Sequence, residues 1–476
     1  MPLSALPDSL SDMRIDQLTL RNFKAFEELT IPFARSPNAS ADGNGSFHVL
    51  IGENGVGKTS ALEGLAVAVG SWFLGIPGYD SRNIRREDAR ISIQKFGDTL
   101  RSEPQYPVSV RASGRVNNEA IDWERSLQAE KGRTDRANAL TIQKIAQKSA
   151  QSVMKNEGVT LPLISYFGTG RLWLEPRDMK NVRAKRASKK RPRTVPQETA
   201  NELDNEPDFG SRLTGYRFSI DPRCNPRDLL QWLLNEKRFA ADEGKESTHF
   251  VVVKEAIRKC LEHCKSVDFH LRLGTLLIEL EGRGQLPFGN LSDGQRNMVG
   301  MIGDLAFKAA QLNPHLGTQV LEKTPGIVLI DELDLHLHPS WQRHVVTDLQ
   351  RAFPEVQFIA TTHSPQLISE VQPESLIVLM QDDVGRVVAA NGTQSYGLDS
   401  NWVLEHIMGV PSRPQPAVEL IRVIEDALEL GNLDAARNSL AELRRLLHGD
   451  DGDVARLEAT INNLEALADA PDSEES

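Results

Sequence analysis

The residues from Gly52 to Thr59, here called the P-loop, carry the clearest chemical signal in the chain. A glycine, four further residues and then Gly57-Lys58-Thr59 fit a phosphate-binding pattern at every fixed position. Glycines let backbone N–H groups converge on a triphosphate, Lys58 can reach the β- and γ-phosphates, and the Thr59 hydroxyl can ligate Mg²⁺. The pattern predicts a site for ATP and Mg²⁺. The predicted nucleotide contacts are Gly52, Asn54, Gly55, Gly57, Lys58, Thr59 and Ser60.

Two carboxylates follow an apolar run later in the chain. Residues 326–330 read Gly-Ile-Val-Leu-Ile, and Asp331 and Glu332 come directly after them. In a protein with a P-loop, the first carboxylate can hold the hydration shell of Mg²⁺, and the second can orient and deprotonate the attacking water. Thr59 and Asp331 are therefore the predicted metal site, and Glu332 is the predicted catalytic base.

A histidine follows a second apolar run. Residues 356–360 predict a strand, and Thr361-Thr362-His363 come next. A lone histidine at a strand end is usually structural. Here it comes after a P-loop and an Asp-Glu pair, and that order favours a catalytic contact between His363 and a γ-phosphate, alongside Lys58.

Residues 291–295, here called the signature segment, read Leu-Ser-Asp-Gly-Gln. Ser292 stands at the N-cap position of a helical pattern that runs to Asn313-Pro314. A serine hydroxyl, glycine N–H groups and a helix N-terminus form a second anion-binding surface. Taken alone, the segment is only a capped helix.

These motifs need strands and helices to bring them together. The flanks of the P-loop, residues 47–51 and 60–69, predict a buried strand and a buried helix. Alternation and apolar runs predict further strands at residues 13–26, 29–33, 108–112, 120–123 and 161–167 and either a hairpin or an extended strand within 267–280. Helical spacing predicts helices at residues 140–155, 229–236 and 253–265. Amphipathic helices around residues 420–428, 436–447 and 454–464 could pack on one another, on the remaining protein or on a partner.

The composition of the chain limits the classes of protein to which it can belong. The chain has 476 residues with 39% hydrophobic content, and its net charge of −11 argues against non-specific coating of nucleic acid. Its apolar runs are too short to span a membrane, and its first residues lack a signal-peptide layout. The three cysteines cannot all pair, and Cys260 and Cys264 are expected to lie on one helix as reduced thiols. These features predict a cytoplasmic protein.

Residues 180–193 form a basic stretch with eight lysines and arginines. It has no apolar periodicity, which favours a loop. It could contact the phosphate backbone of DNA or RNA, and such binding would depend on salt. It could equally be a solvated linker or a surface for an acidic partner, because it contains no aromatic residue for base stacking.

Five segments in this order resemble the ABC-type ATPase head of the RecF and structural-maintenance-of-chromosomes branch. They are Asn22-Phe23-Lys24, the P-loop, the signature segment, Ile330-Asp331-Glu332 and Thr362-His363-Ser364. The resemblance covers residues 13–80 and 250–411. It implies that two heads sandwich two ATP molecules, so that Ser292 and Gly294 of one copy contact the γ-phosphate held by the other, with Gln295 in the same contact set. A homodimer or higher oligomer follows from it.

The chain departs from the family pattern at two places. The position of the D-loop aspartate falls on His338, which looks more like RecF-like and OLD-like ATPases than transporter ATPases. No Q-loop glutamine stands out, and residues 166–171 occupy its place. Asp334, His336 and His338 could form a metal site, but the alternating leucines of this loop better fit packing against a partner head.

The segments 161–173 and 396–411 and the helical tail look like stand-alone ATPases of bacterial antiphage defence, such as the Septu ATPase subunit. That resemblance implies ATP hydrolysis whose nucleotide state gates a separate HNH-type nuclease. The alternative is a RecF-like DNA-repair ATPase that clamps DNA, and a transporter ATPase is a third hypothesis. The chain lacks a carboxylate set for a nuclease of its own, and it has no heptads for coiled-coil arms.

The predicted fold class is α/β, a P-loop ABC-type head with an antiparallel β-subdomain, a helical insert and a C-terminal helical region. The predicted divisions are residues 13–80 for the P-loop lobe, 81–249 for the insert with the basic stretch, 250–411 for the second part of the head, 412–470 for the helical region and 471–476 for an acidic, disordered tail.

Overall fold

The computed structural model describes residues 12–33, 45–96, 99–171, 211–222 and 226–468. The described strands are β1 Met13–Phe23, β2 Phe26–Pro32, β3 Ser46–Gly52, β4 Ile91–Phe96, β5 Thr99–Pro104, β6 Val108–Val116, β7 Glu119–Leu127, β8 Leu163–Phe167, β9 Cys264–His270, β10 Thr275–Leu280, β11 Gly284–Pro287, β12 Gly326–Ile330, β13 Val356–Thr361, β14 Leu376–Gln381 and β15 Val387–Asn391. Contacts divide the chain into two compact units, Met1–Gly397 and Leu398–Ser476.

The described α-helices are numbered in the same way. They are α1 Lys58–Val69, α2 Leu140–Met154, α3 Pro226–Glu243, α4 Thr248–Cys260, α5 Asp293–Leu312, α6 Val320–Lys323, α7 Pro339–Gln342, α8 Val345–Ala352, α9 Pro365–Ile368, α10 Ser400–Trp402, α11 Gln415–Glu429, α12 Leu433–Leu447 and α13 Gly452–Ala468. None of these described helices combines the length and the apolar content needed to cross a membrane.

The first unit is built on a six-stranded sheet in the order β15-β14-β3-β13-β12-β8. All neighbours pair in parallel except β14 and β15, which are antiparallel. Every residue of β8, β12 and β13 is buried. Continuous apolar strands of this kind are typical of parallel sheets that are covered on both faces.

The parallel register brings four loops to one edge of this sheet. Ile330 pairs with Ala360 on β13 and with Phe167 on β8, and Ala360 also pairs with Val49 on β3. The chain segments after β3, β8, β12 and β13 therefore leave the same edge. Ligands in open α/β sheets bind at this carboxyl edge.

Helix α1 lies between the parallel sheet and a second, antiparallel sheet of order β2-β1-β6-β7. It contacts β3, β12 and β13 on one side and β1, β6 and β7 on the other. Residues 64–69 of the helix are all buried. A helix with apolar residues on all sides needs such a position between two layers, so the predicted buried helix after the P-loop is confirmed.

The prediction of one helix across residues 253–265 is wrong at its end. Helix α4 stops at Cys260, and His263 has a left-handed φ of 57°. Cys264 therefore begins strand β9, where it pairs with Leu280. Both thiols are free and buried, and burial raises the pKa of Cys260 to about 12. The predicted hairpin within residues 267–280 is confirmed as β9 and β10.

The second unit contains the three amphipathic helices, which the structure confirms as α11, α12 and α13. Their apolar faces form one buried cluster that includes Ile424, Leu440, Leu443 and Ile461. Arg413 pairs with Asp451 and Asp453 beside this cluster. Of the alternatives left open above, self-packing of these helices is the one that these contacts support.

Candidate functional site

The P-loop connects β3 to α1 and places Lys58 at the start of that helix. Gly57 has a left-handed φ of 109°, and a Cβ there would lie 2.6 Å from Phe26 Cζ. Only glycine fits both constraints. The Lys58 ammonium donates to the carbonyl oxygens of Gly52 at 2.8 Å and Glu53 at 3.0 Å. Asn54 and Gly55 are exposed at the tip of the loop, and Ser60 is half-buried.

Burial lowers the pKa of Lys58, and the nearby carboxylates of Asp331 and Glu332 oppose that shift. The ammonium therefore sits in a partly desolvated loop that faces two acidic groups. A cation in such surroundings interacts more strongly with an anion than it would in water.

Asp331 meets the P-loop through Thr59. The Thr59 hydroxyl donates to both carboxylate oxygens of Asp331, at 3.1 and 3.0 Å, across 272 residues of chain. The Thr361 hydroxyl donates to the same carboxylate at 2.7 Å. Hydroxyl and carboxylate oxygens are the ligands that Mg²⁺ prefers. The donor set at Thr59 and Asp331 therefore fits that ion.

Glu332 follows Asp331 in an unusual backbone conformation. Its φ is 49°, in the left-handed region that non-glycine residues rarely adopt. Its N–H donates to Thr361 Oγ1 at 2.8 Å. Its carboxylate is close enough to Lys58 to influence the pKa of that amine. Such conformations persist where surrounding contacts hold them, and they cluster at active sites.

His363 leaves the sheet edge next to these carboxylates and is half-buried. Its N–H donates to Asp334 Oδ1 at 3.3 Å, and the Thr362 hydroxyl donates to the same atom at 2.5 Å. Ser364 caps α9 and also donates to Gln342 Oε1 at 2.5 Å. These bonds fix the backbone of His363, two residues beyond the end of β13.

The signature segment begins α5 with a capping box. The Ser292 hydroxyl accepts from the Gln295 N–H at 3.3 Å, and Gln295 Oε1 accepts from the Ser292 N–H at 3.1 Å. This reciprocal cap confirms the predicted N-cap. A Cβ on Gly294 would lie 2.4 Å from the carbonyl oxygen of His336. Gly294 is therefore required for α5 to approach the loop after β12.

The signature segment lines an open cavity of about 640 Å³. Arg283, His336, His338 and Trp341 also line it, together with residues 292–295. Its lining contains no residue of the P-loop. The structure therefore brings the P-loop, Asp331 and Glu332 together, and it presents Ser292, Gly294 and Gln295 on a separate concave surface.

The structure adds residues that the sequence analysis did not assign to the site. Arg171 is buried and donates to the carbonyl oxygens of Asp331 and Glu332, both at 2.5 Å. Tyr166 lies nearby, and burial together with Asp331 raises its pKa to about 12. Thr361 also belongs here. For Tyr166 and Arg171, the available signal was the position of residues 166–171 at the place of the missing Q-loop. For Thr361, it was a polar residue at the end of a buried strand.

The turn between β1 and β2 contacts the P-loop helix. Lys24 pairs with Glu63 on α1 and lies 3.7 Å from Asp88 Oδ1. Arg82 also donates to Glu63, at 3.1 Å. The Asn22-Phe23-Lys24 motif therefore anchors α1, one turn beyond Thr59.

Two other sequence predictions bear on the site. The basic stretch 180–193 lies outside the described residues. Within the described part of the chain, no group of three His, Cys, Asp or Glu residues could hold a metal ion.

The chain matches a known protein family and several of its relatives. The family described as AAA domain, putative AbiEii toxin, Type IV TA system matches residues 47–369, which include the P-loop, the signature segment, Asp331 and His363. The retron Vc95 probable ATPase of Vibrio cholerae serotype O1 biovar El Tor is 23% identical, covering 89% of this chain and 85% of its own length. The retron Ec83 probable ATPase of Escherichia coli is 26% identical, covering 87% and 79%.

The Septu protein PtuA of Bacillus thuringiensis is 27% identical over 46% of this chain and 58% of its own length. This match confirms the resemblance to the Septu ATPase that the motifs indicated, and the α/β P-loop fold class is confirmed as well. The family match covers more than half of the chain and contains its nucleotide-binding motif. The chain therefore belongs to this AAA-domain family and is an ATPase.

Proposed function

We propose that two copies of this chain bind ATP with Mg²⁺ at shared sites, and that hydrolysis there controls a partner effector. The observation that carries the proposal is the bond between Thr59 and both oxygens of Asp331, which joins the P-loop to the carboxylate pair. Hydroxyl, carboxylate and ammonium groups converge there, as a triphosphate site requires.

Each residue takes a role that its position allows. Lys58 and the backbone N–H groups of the P-loop bind the phosphates, and Thr59 and Asp331 hold the metal ion, which supplies charge neutralisation at the phosphates. Glu332 orients the attacking water and accepts its proton. His363, at the end of the neighbouring strand, donates a hydrogen bond to the γ-phosphate.

A second copy completes the site. Ser292 and Gly294 are at the N-terminus of a 20-residue helix, whose positive end favours phosphate oxygens. They line an open cavity in which no P-loop residue takes part. One chain therefore offers the P-loop and a separate anion-binding surface at Ser292 and Gly294. In a two-fold dimer, the signature segment of each chain would face the P-loop of the other.

The relatives support a biological role. Two are ATPases of retrons and one is a Septu protein. We therefore propose that the chain acts in bacterial antiphage defence, with its nucleotide state gating a separate nuclease subunit. The alternative of a DNA-repair clamp depends on the basic stretch, which lies outside the described residues.

Mixing two inactive variants tests the shared site. Lys58→Ala removes the ammonium group of the P-loop, and Ser292→Arg places a bulky side chain in the signature segment. We therefore expect each purified variant to lose ATP turnover. In a one-to-one mixture of the two, a mixed pair has one site with neither change, and turnover should recover to roughly a quarter of wild type. That fraction is the order of magnitude expected from random pairing in a closed two-fold dimer. Full turnover by a strict monomer would overturn the proposal.

A further inference from the structure

Arg171 connects three separate segments beneath the candidate site. It follows the turn after β8 and is only 1% exposed. Its two terminal nitrogens donate to the carbonyl oxygens of Asp331 and Glu332, both at 2.5 Å, and one of them also donates to Gly168 at 3.2 Å. Its Nε donates to Asn297 Oδ1 at 3.0 Å. Hydrogen bonds from a charged, planar guanidinium are strong and specific in direction.

Asn297 extends this network to helix α5, which begins within the signature segment. It lies on α5, five residues beyond Ser292, and is 3% exposed. Its side-chain amide donates to the carbonyl oxygen of Leu335 at 2.9 Å. The N-terminal end of α5 is therefore tied to the loop after β12 through Asn297, and it packs closely on the same loop at Gly294.

Glu332 depends on such support. Its left-handed φ of 49° costs roughly 1 kcal/mol or more for a residue with a side chain. Thr361 accepts the hydrogen of its N–H, and Arg171 donates to its carbonyl oxygen. The N–H and C=O of Glu332 are thus both held by side chains, which fix the backbone from which its carboxylate extends.

We propose that Arg171 is a positioning residue for ATP hydrolysis. It holds Glu332 in the left-handed conformation and, through Asn297, couples that conformation to the start of α5. A displacement of the signature end of α5 by a second copy is then transmitted to the catalytic carboxylate. This inference rests on the proposed role of Glu332 in hydrolysis.

The primary test compares turnover with nucleotide affinity in the full chain. A lysine at position 171 keeps the charge but cannot span the carbonyl oxygens and Asn297 at once. We expect Arg171→Lys to lower kcat roughly 10- to 100-fold, as small displacements of catalytic groups do. Affinity for a fluorescent ATP analogue should stay within about threefold, because the P-loop is untouched. Unchanged kcat would overturn the proposal.

Arg125 provides a matched control. It is also fully buried, and its guanidinium donates to Asp135 O at 3.0 Å, Ser81 Oγ at 2.7 Å and Asn83 Oδ1 at 2.9 Å. Arg125 lies on β7, and its guanidinium contacts several acceptors at once, as that of Arg171 does. Arg125→Lys should therefore leave kcat within about twofold of wild type. An equal loss in both variants would mean that any buried guanidinium has this effect, and the specific role would fail.

A double variant separates positioning from a general structural role. If Arg171 acts through Glu332, then adding Arg171→Lys to Glu332→Gln should cause no further loss in single-turnover hydrolysis of radiolabelled ATP. A further loss as large as that seen in the wild-type background would contradict the proposal. If Arg171→Lys does not fold, Asn297→Ala can replace it in this comparison. Asn297→Asp is then the control, because it keeps the oxygen that accepts the hydrogen bond from Arg171.

The outcomes also distinguish this inference from the proposed function. If Lys58→Ala keeps its ATP affinity or Glu332→Gln keeps its turnover, the assignment of the site fails. If those two variants behave as proposed while Arg171→Lys and Asn297→Ala turn over normally, only the positioning role fails.

Discussion

The hydroxyl of Thr59 lies 3.1 and 3.0 Å from the two carboxylate oxygens of Asp331, although 272 residues separate them in the chain. The contact joins the first turn of α1 to the end of β12. Hydroxyl and carboxylate are matched partners for a hydrogen bond and matched oxygen ligands for Mg²⁺. The residue pair therefore relates the fold directly to the proposed metal site.

Removing the Thr59 hydroxyl should weaken the use of Mg²⁺. We expect Thr59→Ala to raise the Mg²⁺ concentration required for half-maximal ATP turnover by roughly 10-fold or more, because an oxygen ligand and its hydrogen bond are lost. Thr59→Ser keeps the hydroxyl and should remain close to wild type. Turnover measured against Mg²⁺ concentration checks this. Identical curves for the alanine and serine variants would contradict the assignment.

Changing Glu332 should separate binding from hydrolysis. Glu332→Gln keeps the shape of the side chain but cannot accept a proton, so turnover should fall by roughly 100-fold or more. Bound ATP should then persist and keep two chains together, which light scattering during size-exclusion chromatography measures. Glu28→Gln, an exposed carboxylate on β2, is the control and should behave as wild type. Normal turnover by Glu332→Gln would show that another group is the base.

Gly294 should be sensitive to the smallest added side chain. A Cβ there would lie 2.4 Å from His336 O, so Gly294→Ala must displace α5 or the loop after β12. We expect a loss of about 1–3 kcal/mol in stability, typical of overpacking, and lower turnover. Gly289→Ala is the matched control, since nothing lies within 4 Å of the added atom. Thermal unfolding of both variants measures the effect, and equal melting temperatures would contradict it.

The core of the second unit should be essential to its stability. Leu443 is fully buried among α11, α12 and α13. Leu443→Ala should destabilise that unit by about 2–5 kcal/mol through lost packing and a residual cavity. Leu430→Ala changes a leucine that is 84% exposed and should have little effect. Hydrogen exchange of the three helices in the full chain measures the difference, and equal protection in both variants would show that this cluster is not the core.

The basic stretch separates the two functional hypotheses. If the chain controls a partner effector, deletion of residues 180–193 should leave basal ATP turnover within about twofold of wild type. If the chain is a DNA-repair clamp, the deletion should abolish retention of duplex DNA and its stimulation of the ATPase. It should also flatten the salt dependence of binding, because each phosphate contact contributes a slope of about 0.9 in log affinity against log salt.

Several local features could be predicted without coordinates. The P-loop and its flanking strand and helix, the N-cap at Ser292 and the three C-terminal helices all follow from short-range rules. These rules concern glycine conformations, hydrogen bonds over three residues and apolar spacing. The helix predicted through Cys264 is wrong because a left-handed turn at His263 and pairing of Cys264 with Leu280 compete with helical spacing.

The sequence by itself determined the P-loop motif and which strands are buried, because those properties depend on neighbours along the chain. The tertiary structure alone decided the contacts among them. Arg171 reaches the carbonyl oxygen of Asp331 across 160 residues, and Gly294 meets His336 because α5 packs on the loop after β12. Neither contact can be read from the periodicity of the sequence. Each depends on one buried side chain or one missing Cβ, and the partners meet only because the parallel register brings the strand ends together.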